Sequence, residues 1–196
     1  MDLLFATGNP KKSEELKALL SLHDYNVLDL NDLDIDTEIE ETGKTLYENA
    51  NIKATFLCDY TQKTALAEDS GLEVDALLGE PGVYSARYAG IPKNDSHNTQ
   101  KLLENLQNIE NRAAQFRTVI ALVSQKGTFS FEGIIRGKII DTPRGTNGFG
   151  YDPVFVPDGY DQTFAELSSD IKNKISHRAN AVQKLITFLT TNKHLL

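Results

Sequence analysis

Apolar residues fall along the chain in two rhythms, short continuous runs and repeats at helical spacing, and their alternation predicts an α/β fold. Residues 3–6 form an apolar run that breaks at Thr7-Gly8-Asn9-Pro10, after which Leu16, Leu19 and Leu20 recur at helical spacing. A strand, a turn and a helix follow, with Asn9 as N-cap and Pro10 as first helical residue. Residues 25–28 read as a second strand, and 31–41 as an acidic, irregular connection. Thr45 and Glu48 have capping-box spacing and open a helix to about residue 60, with Leu46, Ala50, Ala54 and Leu57 on its buried stripe.

The next apolar run ends abruptly in Glu68 and Asp69, and the Ser70-Gly71 pair after them predicts a tight turn at the end of a strand. That places two acids at a C-terminal strand edge, where open α/β sheets bind ligands. Residues 94–107 read as a polar-capped helix with Leu102, Leu103 and Leu106 inward. The β-rich runs 116–124 and 129–140, separated by Gln125-Lys126-Gly127, predict a long antiparallel hairpin and hence a mixed sheet. A glycine-rich return over 141–150 is the expected lobe boundary, and a last helix begins near Ser176.

At 196 residues, 40% of them hydrophobic and 24% charged, the chain is long enough for one sizeable core, and a single domain over 1–196 is expected. A net charge of -8 argues against a binder of nucleic acid polymers, which needs a cationic footprint, but leaves room for a nucleotide held by a few focused lysines. Cys58 is the only cysteine, which excludes an intrachain disulfide. No apolar run approaches the roughly 20 residues that span a bilayer, so no membrane partner is expected. Met1 leads straight into DLLFA without a signal-peptide pattern, and a cytoplasmic location is expected.

Candidate chemistry gathers at a few places. Lys11 and Lys12 fall in the first turn of a helix, where the macrodipole disfavours cations, so either an anion is expected beside the exposed backbone N–H groups or both lysines point to water. His177 and Arg178 repeat the inversion at the last helix, with Lys172 and Lys174 just upstream. Glu38, Glu40 and Glu41 crowd before Thr42-Gly43 and, turned inward, would suit magnesium. Lys53 lies beside the buried stripe, so it either snorkels outward or points at something negative. Phe149 and Tyr151 stand between glycines in a loop, an arrangement that suits either stacking on a planar base or pinning the loop by an aromatic plug. Gly43-Lys44-Thr45 imitates the tail of a P-loop, but Glu38 occupies the place of the required glycine.

These groups converge on a magnesium-bound nucleoside polyphosphate attacked by water, with Asp69 as base and metal ligand and Glu68 as the competing assignment, since neighbouring strand residues face opposite ways. Five ordered motifs carry a resemblance: FATGNPKKSEEL at 5–16, EETGKTLYENANIKA at 40–54, AEDSGLEVDALLGEPGVYSARYAG at 67–90, NGFGYDPVF at 147–155 and KNKISHRANA at 172–181. The chain resembles the inosine triphosphate pyrophosphatase family, also called the Ham1-like dITP/XTP pyrophosphatases.

The resemblance implies hydrolysis of ITP, dITP and XTP to the monophosphate and pyrophosphate by a magnesium-dependent cytoplasmic homodimer. It also implies an α/β fold, an elongated mixed β-sheet flanked by helices in two lobes around a central cleft. Matched position by position, Thr7, Gly8, Asn9, Pro10, Lys11, Lys12 and Lys53 would hold the triphosphate, and Glu41 with Asp69 the magnesium. Asp69 would also be the general base and Ser70 a substrate contact. Phe149, Gly150, Tyr151 and Asp152 would enclose the base, with Lys172, His177 and Arg178 completing recognition. Many bacterial relatives carry Asp where this chain has Glu68, which leaves the second acid in place. Two rivals are a nucleotide-binding module without chemistry and a Maf-like pyrophosphatase for modified pyrimidine nucleotides.

Overall fold

The computed structural model describes residues 2–21, 23, 25–37 and 39–192, so Glu38 of the acidic cluster lies outside the described residues. The strands are β1 (Asp2–Phe5), β2 (Asn26–Asp29), β3 (Ala65–Val74), β4 (Ala113–Ser124), β5 (Gly127–Ile139) and β6 (Phe155–Pro157). The helices are α1 (Pro10–Ser21), α2 (Leu46–Thr61), α3 (Asp95–Asn105), α4 (Ser169–Ile175) and α5 (His177–Thr191). The strands make one six-stranded sheet in the order β2-β1-β3-β4-β5-β6. β1 runs parallel to β2 and β3 while β5 and β6 are antiparallel, so the sheet is mixed. No helix among the described residues is long and apolar enough to cross a membrane.

The chain forms two compact units. The first comprises Met1–Asp69, Thr118–Gly133 and Arg178–Leu196, and the second Ser70–Arg117 and Ile134–His177. Each has its own core. Leu3, Phe5, Leu16, Leu20, Leu66, Ile120, Val182 and Leu185 fill the first, and Leu72, Leu102, Phe116, Tyr151, Phe155 and Phe164 the second. The chain passes between units within β3, β4 and β5 and at the start of α5, not at the 141–150 return, which lies wholly in the second. Glycine serves close approach there: a Cβ on Gly145, whose φ is +81°, would fall 2.3 Å from the Ala165 carbonyl carbon.

Local sequence explains the helix starts. The Asn9 side-chain oxygen accepts the backbone N–H groups of Lys11 and Lys12, and Pro10 opens α1. Thr45 and Glu48 form a complete capping box on α2. Asn94 caps α3 by accepting the His97 N–H at 3.0 Å. The two-residue link Gln125-Lys126 between β4 and β5 makes them an antiparallel hairpin.

The predicted turn after Asp69 is absent, because β3 continues through Ser70 and Gly71 to Val74. Gly71 has a packing role: a Cβ there would stand 2.4 Å from the Gly82 carbonyl oxygen. Beside it the Ser85 hydroxyl donates to that carbonyl and accepts the Leu72 N–H. Glu68 and Asp69 therefore sit in mid-strand. A short helix, α4, also precedes α5 and carries Lys172 and Lys174, capped by Ser168.

The buried Asp29 carboxylate at the end of β2 accepts the Ser13 hydroxyl at 2.5 Å, the Lys17 ammonium at 3.0 Å and the N–H groups of Asn31 and Asp32. Burial alone would raise its pKa, but these donors outweigh burial and hold it at about 2, below the ordinary 3.8. A depressed carboxylate stabilises the fold above its unfolded pKa and loses that contribution as pH falls through the folded value. Asp29→Asn is therefore expected to lower unfolding free energy at pH 7 by about 1–3 kcal/mol. Urea unfolding across pH checks this, with the gap to the parent protein shrinking as pH falls from about 4 towards 2.

Candidate active site

The first unit gathers one set of charged groups. β1 delivers the chain into the 7–10 turn, where the Thr7 hydroxyl oxygen accepts the Asn9 N–H, Gly8 and Asn9 are exposed, and a Cβ on Gly8 would meet nothing within 4 Å. Open backbone ahead of a helix N-terminus is the local geometry that receives phosphate oxygens. Lys11 is exposed, whereas Lys12 is half-buried with its Nζ 3.5 Å from Glu68 Oε1. Burial lowers the Lys12 pKa, helped by Lys53 and Arg178 and opposed by Glu68 and Asp69.

Lys53 resolves its two options by pointing at acids. Its Nζ stands 2.5 Å from Glu41 Oε1 and 3.9 Å from Asp69 Oδ1, and the lysine is buried. The two carboxylate oxygens are thus no farther apart than those two distances laid end to end. Asp69, 7% exposed, also accepts the Asn49 side-chain amide at 3.1 Å. Burial raises its pKa, Glu41 adds to the rise, and Lys53, Lys12 and Asn49 pull it back. A raised carboxylate pKa is what a proton acceptor working near neutral pH requires.

Glu68 and Asp69 take different roles. Both Glu68 oxygens accept hydrogen bonds from Arg178, at 2.8 Å from Nε and 2.7 Å from the terminal nitrogen, and the remaining terminal nitrogen pairs with Glu15. Arg178 is 1% exposed. Burial would lower its pKa, but the two carboxylates outweigh that and raise it. The electron-rich partner called for at the start of α5 is thus supplied from within the unit. Arg178, expected to complete base recognition, bonds Glu68 of β3 and Glu15 of α1, its guanidinium fork matching the Glu68 carboxylate.

The second unit gathers the remaining residues. The Asp152 carboxylate accepts the Phe149 N–H at 2.9 Å and the Lys172 ammonium at 2.8 Å. Gly148, at φ +75°, cannot carry a side chain, because its Cβ would fall 2.0 Å from Asp152 Oδ2. The Gly150 N–H donates to Asp95 at 2.9 Å. Tyr151 is 3% exposed and its hydroxyl donates to the Ser85 carbonyl at 2.9 Å, so this ring pins the loop from the core while Phe149 stays half-buried. Lys172 Nζ lies 5.2 Å from the Phe149 ring centre. The buried His177 ring stacks on Phe116 at 4.8 Å. Ser70, half-buried, is the β3 residue after Asp69.

Among the described residues no three His, Cys, Asp or Glu side chains form a metal-binding group. The pair Glu41 and Asp69 nevertheless suits magnesium, which takes one or two carboxylates and completes an octahedron with waters and substrate phosphates. The buried ammonium between them marks a place where a cation is already favoured. Sequence reasoning missed Asn49, Glu15, Asp95 and Ser85. Asn49 left a signal: it is a polar residue three positions after Leu46 on the buried stripe of α2 and four before Lys53. Glu15 and Asp95 left none, since their partners lie far along the chain.

Comparison with known proteins places this geometry in a lineage. The model of the Ham1 family matches residues 3–188. A dITP/XTP pyrophosphatase of Bacillus licheniformis is 51% identical over 191 residues, covering 96% of this chain and 97% of the relative. One of Flavobacterium johnsoniae is 48% identical over 193 residues, covering 98% of this chain and all of the relative. The solved structure of the Staphylococcus aureus Ham1 protein superposes with a TM-score of 0.89 at 44% identity, covering 97% of this chain and 99% of that one. The Mycobacterium abscessus nucleoside-triphosphatase, a dITP/XTP pyrophosphatase, gives 0.77 at 42% identity, covering 94% and 98%. A family match across most of the length, with relatives this similar end to end, establishes that the chain belongs to the Ham1 family.

Proposed function

We propose that the protein hydrolyses dITP, ITP and XTP to the nucleoside monophosphate and pyrophosphate, with magnesium. The observation that carries the reading is the Lys53 ammonium held between the Glu41 and Asp69 carboxylates, beside Lys12, in a family whose relatives bear that activity as their name. Magnesium, when bound, neutralises phosphate charge and polarises the bond to be broken. Thr7, Gly8, Asn9, Pro10, Lys11, Lys12 and Lys53 hold the triphosphate. Asp69 accepts a proton from the attacking water and, with Glu41, binds the metal. The water oxygen bonds to the α-phosphorus, the bond to the bridging oxygen breaks, and pyrophosphate leaves with the negative charge that the lysines stabilise.

Base recognition falls to Ser70, Phe149, Gly150, Tyr151, Asp152, Lys172 and His177. An oxo group at purine C6 accepts a hydrogen bond where the amino group of adenine donates one, so a donor from His177 or Arg178 favours hypoxanthine and xanthine over adenine. Arg178, held by Glu68 and Glu15, completes base recognition from the start of α5. The same family reading carries a cytoplasmic homodimer with residues 1–196 acting as one domain.

A panel of dITP, ITP, XTP, ATP, GTP, dUTP and dTTP with magnesium tests the reading. Pyrophosphate from the first three is expected. Orthophosphate alone would mean a phosphatase, preference for the pyrimidines a different pyrophosphatase, and tight binding without product a binding module. Asp69→Asn is expected to cut kcat at least about a hundredfold. Its melting transition should persist, because burial already disfavours the charge that the amide removes. In the metal-free protein the Asp69 carboxyl, raised by burial and by Glu41, should titrate above the ordinary 3.8, which carboxyl NMR across pH reads directly.

A further inference from the structure

Asn49 sits on α2 with no exposed surface, and an amide buried so completely needs both ends satisfied. Its Oδ1 accepts the Gly43 N–H at 2.8 Å, and its Nδ2 donates to Asp69 Oδ2 at 3.1 Å. A backbone N–H can only donate, so Gly43 fixes which way round the amide lies, with nitrogen towards Asp69. Gly43 has room for nothing larger, because a Cβ there would stand 2.6 Å from Asn49 Oδ1 and from Glu48 Cβ. Glu41 lies two residues before Gly43. One buried amide thus ties the β3 carboxylate to the loop that carries its partner acid.

We propose that Asn49 is a positioning residue for the reaction: it holds Asp69 by Oδ2, presents Oδ1 towards Lys53, and sets the Glu41 loop in register with β3. The inference rests on the role given to Asp69 above. Aspartate at position 49 would still accept the Gly43 N–H but would offer Asp69 a like charge in place of a donor. Leucine would leave both polar partners buried without the amide. Asparagine is the side chain of this length that donates one way and accepts the other.

Asn49→Asp separates the two contacts, since it keeps the volume and the Gly43 bond and puts a like charge where the donor to Asp69 stood. A kcat lower by about 10–100-fold is expected, as for supporting partners of ligand groups, with the KM for dITP within about threefold. The variant's crystal structure should show the Asp69 carboxylate turned from its present position. Asn49→Ser, which loses both contacts, should match that fall in kcat and also raise KM as the Glu41 loop loosens; it carries the test if Asn49→Asp does not fold. A kcat within about threefold of the parent with Asp69 unmoved would overturn the inference. If the parent releases no pyrophosphate from any nucleotide, the proposed function fails, and the crystal structures alone decide the role of Asn49: a turned carboxylate supports it, an unmoved one refutes it.

Discussion

The buried fork between Arg178 and Glu68 is the interaction on which the first unit depends. Taking both charges out of water costs several kcal/mol each, and only good geometry with full hydrogen bonding offsets that. Here both carboxylate oxygens are bonded to the guanidinium, and Glu15 takes another of its nitrogens. The fork fastens the start of α5 to β3, and Glu15 extends the tie to α1. Glu68 is thereby a counter-ion of the fork, while Asp69, the next residue, faces Lys53 and Asn49.

Around that anchor the charges of the first unit are matched in short steps. Lys12 approaches Glu68, Lys53 joins Glu41 to Asp69, and Asn49 steadies Asp69 from the other side. Such a set suits a polyanion accompanied by a divalent cation, because the ammonium groups are held in place before any ligand arrives. The second unit is built differently. Its loop is pinned by Tyr151, Asp152 and Asp95, and it offers one half-buried ring and a lysine already engaged by a carboxylate. Rigid rings and directed polar groups are the means by which proteins read a base.

What could be read from the sequence was local. Asn9-Pro10, Thr45 with Glu48, and Asn94 announce helix starts because their caps bond residues two or three places away. The β4–β5 hairpin declares itself by composition and a short link. Ser70-Gly71 misled, because a glycine that makes room for a distant carbonyl looks the same in sequence as one that turns the chain. For Tyr151 the loop pattern allowed a plug as well as a stacking ring, and the buried ring with its bond to the Ser85 carbonyl, 66 residues away, pins the loop. Arg178 meets Glu68 at a separation of 110 residues and Glu15 at 163, distances over which one sequence carries no pairing signal. The motif positions were visible, but the different partners of the two neighbouring acids were not.

The most direct test of this account is a double-mutant cycle on the fork, with urea unfolding of the parent, Arg178→Met, Glu68→Gln and the double variant. Removing either partner leaves the other buried charge without its fork, with only Lys12 beside Glu68 or Glu15 beside Arg178, so Arg178→Met should lose about 3–5 kcal/mol, and the double variant should recover at least about 2 kcal/mol of the summed losses. Single variants within about 1 kcal/mol of the parent, with effects that simply add, would contradict the claim that this pair holds β3 in place.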